Sequence, residues 1–251
     1  MASVILAANW KMNGNREAVV QRLGWALDAC KQMAHVQWLL FPPFPYLSMC
    51  REQLNDSSVG LGAQDVAAYP EGAYTGQVSA SMLKDVGAGY VLVGHSERRH
   101  GLEEGSALLA QKCDMALQAG LSVVFCVGET QEERVAGQSE AVVLSQLEVV
   151  DVLLKKDAAL SQRLMVAYEP VWAIGTGLIA KPEDVLTMHR AIEKKLAISC
   201  ENMTRIPLLY GGSVKSSNAA ELIDIQGVDG FLVGGASLTE DFIKIGEICS
   251  N

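Results

Sequence analysis

A lysine, a histidine and a glutamate each follow a short apolar run of this 251-residue chain. Lys11 comes after VILAANW, His95 after YVLVG and Glu169 after LMVAY. A cation could neutralise an anionic substrate, an imidazole could donate a hydrogen bond to a developing oxyanion, and a carboxylate could remove a proton. Taken singly, each has a structural alternative: a solvated lysine, a histidine satisfied in the core, or a carboxylate in an ion pair.

Glu169 is the candidate general base. Its neighbours in sequence are apolar, and burial among them is expected to raise its pKa, which suits a base. A carboxylate in a structural ion pair at the end of a strand would have the same local sequence. On that sequence alone, the two interpretations are equally well supported.

His95 lies in the segment VGHSERR, between a predicted strand and a predicted helix start. A serine-hydrolase elbow requires G-x-S-x-G, but Arg98 occupies the position of the second glycine, which disfavours Ser96 as a nucleophile. The N–H groups at a helix start disfavour additional positive charge, so they should keep the imidazole neutral. A neutral imidazole can donate a hydrogen bond to an oxyanion.

Two glycine-rich turns, Gly211-Gly212-Ser213 and Gly234-Gly235, follow the last two predicted strands. Glycines let backbone amides approach an anion without obstruction by a Cβ atom, so these turns could bind a phosphate. The segment Pro170–Ala180 begins with stiff residues and carries two glycines near its tip. It suggests a lid that moves as a unit, with a packed irregular loop as the alternative.

Composition limits the class of protein. The net charge of −9 argues against nonspecific nucleic-acid binding, and no apolar run reaches the roughly 18 residues that a membrane helix needs. The start of the chain has no basic segment typical of a signal peptide. The six cysteines form no CxxC pair, and the histidines show no ligand spacing. These features predict a cytoplasmic protein with reduced thiols, no metal site, and neither nucleic acid nor membrane as a partner.

Eight strands are predicted from short apolar runs. They begin near Val4, Val36, Val59, Tyr90, Ser122, Leu164, Ile206 and Gly230. Continuous apolar strands indicate a parallel sheet buried on both faces, and eight strand–helix units in about 250 residues fit an α/β fold with a closed (β/α)8 barrel. A doubly wound open sheet is the alternative, but the glycine-rich nucleotide motifs are missing. The sequence predicts one domain over residues 1–251.

Between the strands lie segments with helical periodicity, among them Glu17–Met33, Gly105–Leu117, Glu140–Leu154 and Pro182–Ile198. A proline followed by two acidic residues marks the start of the last of these. In a barrel the carboxyl ends of the strands share one rim, where active sites lie. The candidate residues are therefore expected to meet there.

Several motifs occur in a fixed order over nearly the whole chain, namely AANWKMNG, FPPFPYL, GAYTG, VGHSERR, AYEPVWAIGTG, YGGSV and FLVGGASL. In these motifs and their order the sequence resembles the triosephosphate isomerase family. The resemblance implies a TIM barrel that interconverts dihydroxyacetone phosphate and D-glyceraldehyde 3-phosphate in glycolysis and gluconeogenesis. It also implies that neither a metal nor an organic cofactor takes part.

The resemblance gives the candidate residues specific roles. Glu169 would move a proton between the two carbons, and a neutral His95 would move protons between the oxygens of the enediolate. Lys11 would stabilise negative charge, Asn9 would hydrogen-bond the substrate oxygens, and Glu97 would position Lys11. The phosphate would be bound by Asn9, Lys11 and the backbone of Gly175, Ser213, Gly234 and Gly235.

Further residues near the site follow from the same resemblance. Tyr210 and Ser213 would hydrogen-bond the closed lid, and Ile174 and Leu232 would crowd Glu169. Supporting positions would be Glu97, Ser96, Cys126 and Tyr210. For Cys126, a small buried hydrophobe is the simpler interpretation. The lid would comprise Pro170, Val171, Trp172, Ala173, Ile174, Gly175, Thr176, Gly177, Leu178, Ile179 and Ala180.

The family resemblance further implies a homodimer in which the loop Gln64–Val78 enters the partner subunit. Gln64 and Thr75 would lie at that contact. Two departures from the family pattern stand out in this chain. The lid ends in Leu178-Ile179-Ala180 instead of the usual Lys-Thr-Ala, and Asp65 replaces a frequent asparagine.

Two rival functions remain. One is another phosphate-binding barrel enzyme, such as a sugar-phosphate epimerase or an isomerase of amino-acid biosynthesis. An epimerase would require metal ligands that the spacing of the histidines does not offer. A catalytically silent barrel kept for binding would have no need of a base such as Glu169. Activity of the purified chain would separate these possibilities.

Overall fold

The computed structural model describes residues 4–175, 178–199 and 204–250. Within these ranges eight parallel strands close into one barrel, in which each strand pairs with the next and the last pairs with the first. The strands are β1 (Val4–Asn9), β2 (Val36–Phe41), β3 (Gly60–Ala63), β4 (Tyr90–Val93), β5 (Ser122–Val127), β6 (Leu164–Tyr168), β7 (Leu208–Tyr210) and β8 (Gly230–Val233). The predicted (β/α)8 fold class is confirmed.

Helices surround the barrel. They are α1 (Arg16–Gln32), α2 (Leu47–Gln53), α3 (Ala80–Asp85), α4 (Ser96–Gly101), α5 (Ser106–Gln118), α6 (Gln131–Val135), α7 (Ser139–Gln146), α8 (Glu148–Lys156), α9 (Pro182–Ser199), α10 (Ser216–Ile223) and α11 (Asp241–Cys249). None of the helices in the described ranges is long and apolar enough to cross a membrane.

The segment Glu140–Leu154, which has helical periodicity, forms two helices instead of one. The structure divides this segment at Leu147, between α7 and α8. At the end of α7, the side-chain amide of Gln146 accepts from the N–H of Gly128 at 2.8 Å and donates to its carbonyl at 3.0 Å. These two hydrogen bonds fix the end of α7 against the loop that follows β5.

The barrel interior is filled by one set of apolar side chains, which are Ile5, Ala7, Leu39, Phe41, Leu92, Val124, Cys126, Ala167, Leu209 and Leu232. Successive residues of a strand point to opposite faces, so every second residue faces the barrel axis. Two residues beyond Ala7 stands Asn9, and two residues beyond Ala167 stands Glu169. The alternation of the strands therefore aims these two polar side chains at the mouth of the barrel.

Candidate active site

A cavity of about 550 Å³ opens at the carboxyl ends of the strands. Most of the residues expected to act chemically line it, namely Asn9, Lys11, His95, Glu169, Ile174, Gly175, Ser213, Leu232, Gly234 and Gly235. Gly211 and Gly212 complete the wall at the end of β7. The structure thus brings Lys11, His95, Glu169 and both glycine-rich turns to one rim.

The carboxylate of Glu169 lies directly against the imidazole of His95. Its Oε1 is 3.0 Å from His95 Nε2, and its Oε2 accepts the N–H of Ser96 at 3.0 Å. His95 is the N-cap of α4, and its Nδ1 accepts the N–H of Glu97 at 3.3 Å. Because Nδ1 is an acceptor, the proton of the neutral ring sits on Nε2 and faces Glu169.

The contact between these two side chains sets the direction of both pKa values. Burial raises the pKa of Glu169, but the attraction and hydrogen bond of His95 and the N–H of Ser96 outweigh it, so the net shift is downward. Burial lowers the pKa of His95, but the carboxylate of Glu169 outweighs it and raises the value. The expectation of a raised pKa for Glu169 is therefore wrong for this arrangement, because the combined effect of His95, the N–H of Ser96 and Lys11 exceeds that of burial, although burial is the largest single influence.

Neighbouring glycines leave the space that Glu169 occupies. A Cβ atom on Gly211 would lie 2.8 Å from Glu169 Cγ, and one on Gly128 would lie 1.8 Å from the carbonyl oxygen of Glu169. The N–H of Glu169 donates to the carbonyl of Val127 at 2.7 Å, and the residue is only 2% exposed. A side chain at either glycine would displace the carboxylate from His95.

Lys11 has a left-handed backbone conformation, with a φ of +52°. Its N–H donates to Asn9 Oδ1 at 2.9 Å, its carbonyl accepts from Gln64 Nε2 at 2.8 Å, and its Nζ donates to Glu97 Oε1 at 2.6 Å. A Cβ atom on Gly234 would come within 3.2 Å of Lys11 Cε. This conformation is costly for a lysine and is typical of functional sites, where neighbouring groups enforce it.

The first turn of the segment predicted as a lid is anchored by a buried carboxylate. Trp172 Nε1 donates to Glu129 Oε1 at 2.8 Å, and the hydroxyl of Tyr168 donates to the same oxygen at 3.2 Å. The guanidinium of Arg134 lies 4.1 Å from the centre of the Trp172 ring. Sequence analysis missed Glu129, although it follows β5 closely, as His95 follows β4.

The remaining lid contacts are only partly formed. Ser213 Oγ donates to the carbonyl of Ala173 at 2.8 Å, whereas the buried hydroxyl of Tyr210 has no hydrogen-bond partner among the described residues. Leu178 and Ile179 are exposed. Thr176 and Gly177, which belong to the predicted lid, lie outside the described residues.

Several of the predicted residues do not line the cavity, among them Cys126, Gln64 and Thr75. Cys126 is in the barrel interior, where burial and then Glu169 raise the pKa of its thiol, so the thiol stays neutral. Gln64 donates to the carbonyls of Lys11 and Phe41, both at 2.8 Å. Thr75 is exposed in the loop between β3 and α3. Across the described ranges, no cluster of three or more histidine, cysteine or acidic side chains could hold a metal ion.

A family model and individual related proteins all match the chain under the same description. The family model described as triosephosphate isomerase matches residues 4–249. The chain is 48% identical over 247 residues to the triosephosphate isomerase of Xanthomonas campestris pv. campestris (strain 8004), which covers 98% of this chain and 97% of that protein. It is 44% identical over 250 residues to that of Coxiella burnetii (strain Dugway 5J108-111), with the same coverage. It is also 44% identical over 249 residues to that of Lawsonia intracellularis (strain PHE/MN1-00), with 96% of each chain covered.

Proposed function

Because the chain belongs to the triosephosphate isomerase family, we propose that the cavity at the mouth of its barrel is where the family's reaction takes place. The protein is an isomerase that interconverts dihydroxyacetone phosphate and D-glyceraldehyde 3-phosphate. One observation carries the assignment of the site: a buried carboxylate, Glu169, contacts the Nε2 of a helix-capping histidine, His95, at 3.0 Å inside this cavity. We assign the proton transfers to this pair.

The phosphate of the substrate binds on the side of the cavity formed by the ends of β7 and β8. Gly234 and Gly235 open the turn after β8, and Ser213 follows β7. Their backbone N–H groups can approach an anion closely, and Lys11 adds positive charge beside Gly234. Gly175, from the lid, completes this part of the site when the lid closes. Asn9 hydrogen-bonds the substrate oxygens.

Substrate entry changes the basicity of Glu169. A carbonyl oxygen that accepts the Nε2 proton of His95 replaces the carboxylate as the partner of this proton. Glu169 then loses the contact that lowers its pKa, whereas burial, which raises the pKa, remains. Ile174 and Leu232, which line the cavity, keep water away from the carboxylate. Substrate binding therefore makes Glu169 a stronger base.

The proton transfers balance without a cofactor. Glu169 removes a proton from carbon 1 of dihydroxyacetone phosphate, and His95 Nε2 donates to the carbonyl oxygen on carbon 2. His95 then takes the hydroxyl proton from the oxygen on carbon 1, and Glu169 returns its proton to carbon 2. Lys11 stabilises the negative charge of the enediolate throughout.

Steady-state isomerisation of D-glyceraldehyde 3-phosphate by the purified chain tests this function, with EDTA present and no cofactor added. We expect fast turnover that is insensitive to the chelator. A folded protein with no turnover under these conditions would contradict the proposal.

We also propose that the chain acts as a cytoplasmic homodimer and binds neither nucleic acid nor membranes. Two features of the single chain support a dimer. The first is that residues 70–77 are all exposed, and that the rings of Tyr69 and Tyr74 stack with their centres 3.9 Å apart. The second is that the side chain of Met12, next to Lys11 in sequence, is 95% exposed. We expect light scattering at assay concentrations to give twice the 26.9 kDa chain mass. A fully active monomer would contradict the dimer.

A further inference from the structure

Arg99 occupies an unusual place beneath the candidate site. Its Nε donates to the carbonyl of Gly94 at 2.8 Å, and its Nη2 donates to the carbonyl of Cys126 at 2.8 Å. The guanidinium carbon lies 5.2 Å from the centre of the Phe125 ring. No carboxylate in the described ranges forms an ion pair with it, so its hydrogen bonds go to backbone carbonyls.

These two carbonyls continue the pairing of β4 with β5. The register of the two strands ends with the pair Val93 and Phe125. Gly94 and Cys126 are the residues that would pair next, but the chain turns away after Gly94 to begin α4. The side chain of Arg99 therefore joins the two strands one residue beyond the last regular pair.

The same contact explains the glycine before His95. Gly94 has a φ of +77°, and a Cβ atom there would lie 2.9 Å from Arg99 Nη2. A glycine is thus required both for the turn and for the approach of the guanidinium. The position of His95 depends directly on this turn.

On its other side, Arg99 is connected to Glu169 through β5. The carbonyl of Cys126 belongs to a strand that stays paired with β6 up to Val127 and Tyr168. Val127 in turn accepts the N–H of Glu169 at 2.7 Å. The guanidinium therefore lies between the strand end that carries His95 and the strand that fixes the backbone of Glu169.

We propose that Arg99 is a positioning residue for the isomerisation, which holds the ends of β4 and β5 at the separation that keeps His95 and Glu169 in contact. It touches neither substrate nor the reacting atoms, and it does not line the cavity. This inference rests on the function proposed above. A misplacement of about 1 Å between reacting groups can cost about 100-fold in rate, so a small change in this spacing has a large effect.

The test compares Arg99→Met with Arg99→Lys. We expect Arg99→Met to lower kcat by about 10- to 100-fold, with KM and the Kd for glycerol 3-phosphate within about twofold of the unmodified chain. The phosphate-binding turns lie on β7 and β8, away from Arg99, which is why binding is preserved. Arg99→Lys keeps a cationic donor near the carbonyls and should recover several-fold of the lost kcat.

Arg163 provides a matched control. It is also half-buried and donates to a backbone carbonyl, that of Leu117 at 2.6 Å, but it precedes β6, at the opposite end of the strand from Glu169. Arg163→Met should lose stability comparably while keeping kcat within twofold at temperatures below unfolding. An Arg99→Met protein that is folded and has unchanged kcat, or that loses kcat no more than Arg163→Met, would overturn the inference. So would a loss confined to KM.

A readout without turnover separates this inference from the proposed function. The ring ¹⁵N shifts of His95 report the hydrogen bond between Nε2 and Glu169. We expect them to move in Arg99→Met and to stay in place in Arg163→Met, whether or not the unmodified chain isomerises the triose phosphate. Unchanged His95 shifts in Arg99→Met would overturn the positioning role.

Discussion

Two buried histidines of this barrel have opposite properties. His95 is 5% exposed and its Nε2 contacts a carboxylate, whereas His189 is 0% exposed and its Nδ1 lies 3.0 Å from the carbonyl of Gly227. The pKa of His95 is raised by Glu169, against burial, while burial lowers the pKa of His189 to about 4. Both rings are removed from solvent, so the difference comes from the partner: a carboxylate for one and a neutral carbonyl for the other.

The rings of His189 and His95 also differ in what lies next to them. His189 packs edge-on against Tyr168, with ring centres 5.9 Å apart, on the outside of the barrel wall, and it stays a neutral part of the core. His95 faces a cavity that a substrate can enter. Burial alone therefore does not mark a reactive group. A reactive group in this protein is a buried one whose charged partner can be exchanged for a ligand.

The largest expected effect comes from removing the carboxylate partner of His95. Glu169→Gln should lower kcat by about 10²–10⁴-fold, because the general base is lost, while the Kd for glycerol 3-phosphate stays within about threefold. It should also lower the pKa of His95, since the attraction that raises it is gone. Steady-state kinetics and an NMR titration of the ring measure these changes. Near-normal kcat would show that Glu169 is not the base.

Lys112 is a third buried group, and its partners are side chains of the protein that no ligand replaces. Its Nζ donates to Asp65 at 2.8 Å and to Glu104 at 2.6 Å, and Arg98 also pairs with both acids. Lys112→Met should lower the free energy of unfolding by about 3–5 kcal/mol, because two buried carboxylates lose a counter-charge. Below the unfolding transition, kcat should stay within about twofold. Urea denaturation at fixed protein concentration measures the loss.

Lys156→Met is the matched control for Lys112. Lys156 pairs with Asp114 at 2.7 Å, but its side chain is 57% exposed. Exposed ion pairs contribute about 0–1 kcal/mol, so this variant should unfold almost as the unmodified chain does. Equal losses in the free energy of unfolding of the two lysine variants would mean that burying Lys112 with Asp65 and Glu104 has no effect on stability.

The last prediction concerns the contribution of His189 to the free energy of unfolding at low pH. The pKa of His189 in the folded protein, about 4, lies below the ordinary histidine value of 6.5, so its contribution to stability is complete above pH 6.5 and is lost as the pH falls towards 4. This loss amounts to about 3 kcal/mol. His189→Asn keeps a donor for the carbonyl of Gly227 but has no titrating ring, so its stability should fall less steeply between pH 6.5 and 4. Urea unfolding at several pH values measures the slopes.

His35→Asn serves as the control for the acid experiment, because His35 is exposed. The carboxylates of the protein contribute to the acid slope in every variant, so the informative quantity is the difference between slopes. The slope should change more in His189→Asn than in His35→Asn. Equal slopes in the two variants would contradict the lowered pKa of His189.

Much of the fold could be predicted from local sequence. The eight strand runs and the start of α9 at Pro182 depend on apolar character and on residues that favour helix starts, which act over short distances. The division between α7 and α8 could not be predicted, because it coincides with the contact between Gln146 and Gly128, 18 residues away. The direction of the pKa of Glu169 was missed for the same kind of reason, since it depends on His95, 74 positions earlier in the chain.

The strands, the closed barrel that they favour, and the residue types at each strand end follow from the order of residues along the chain. Membership of the triosephosphate isomerase family follows from it as well, because the motifs are contiguous stretches of the chain. The pairing of the buried groups, in contrast, depends on the folded structure: Glu169 pairs with His95, Lys112 with Asp65, His189 with a carbonyl, and Arg99 with two strand ends. Partner choice depends on distances of a few ångströms between residues far apart in sequence, and those distances exist only once the barrel has closed.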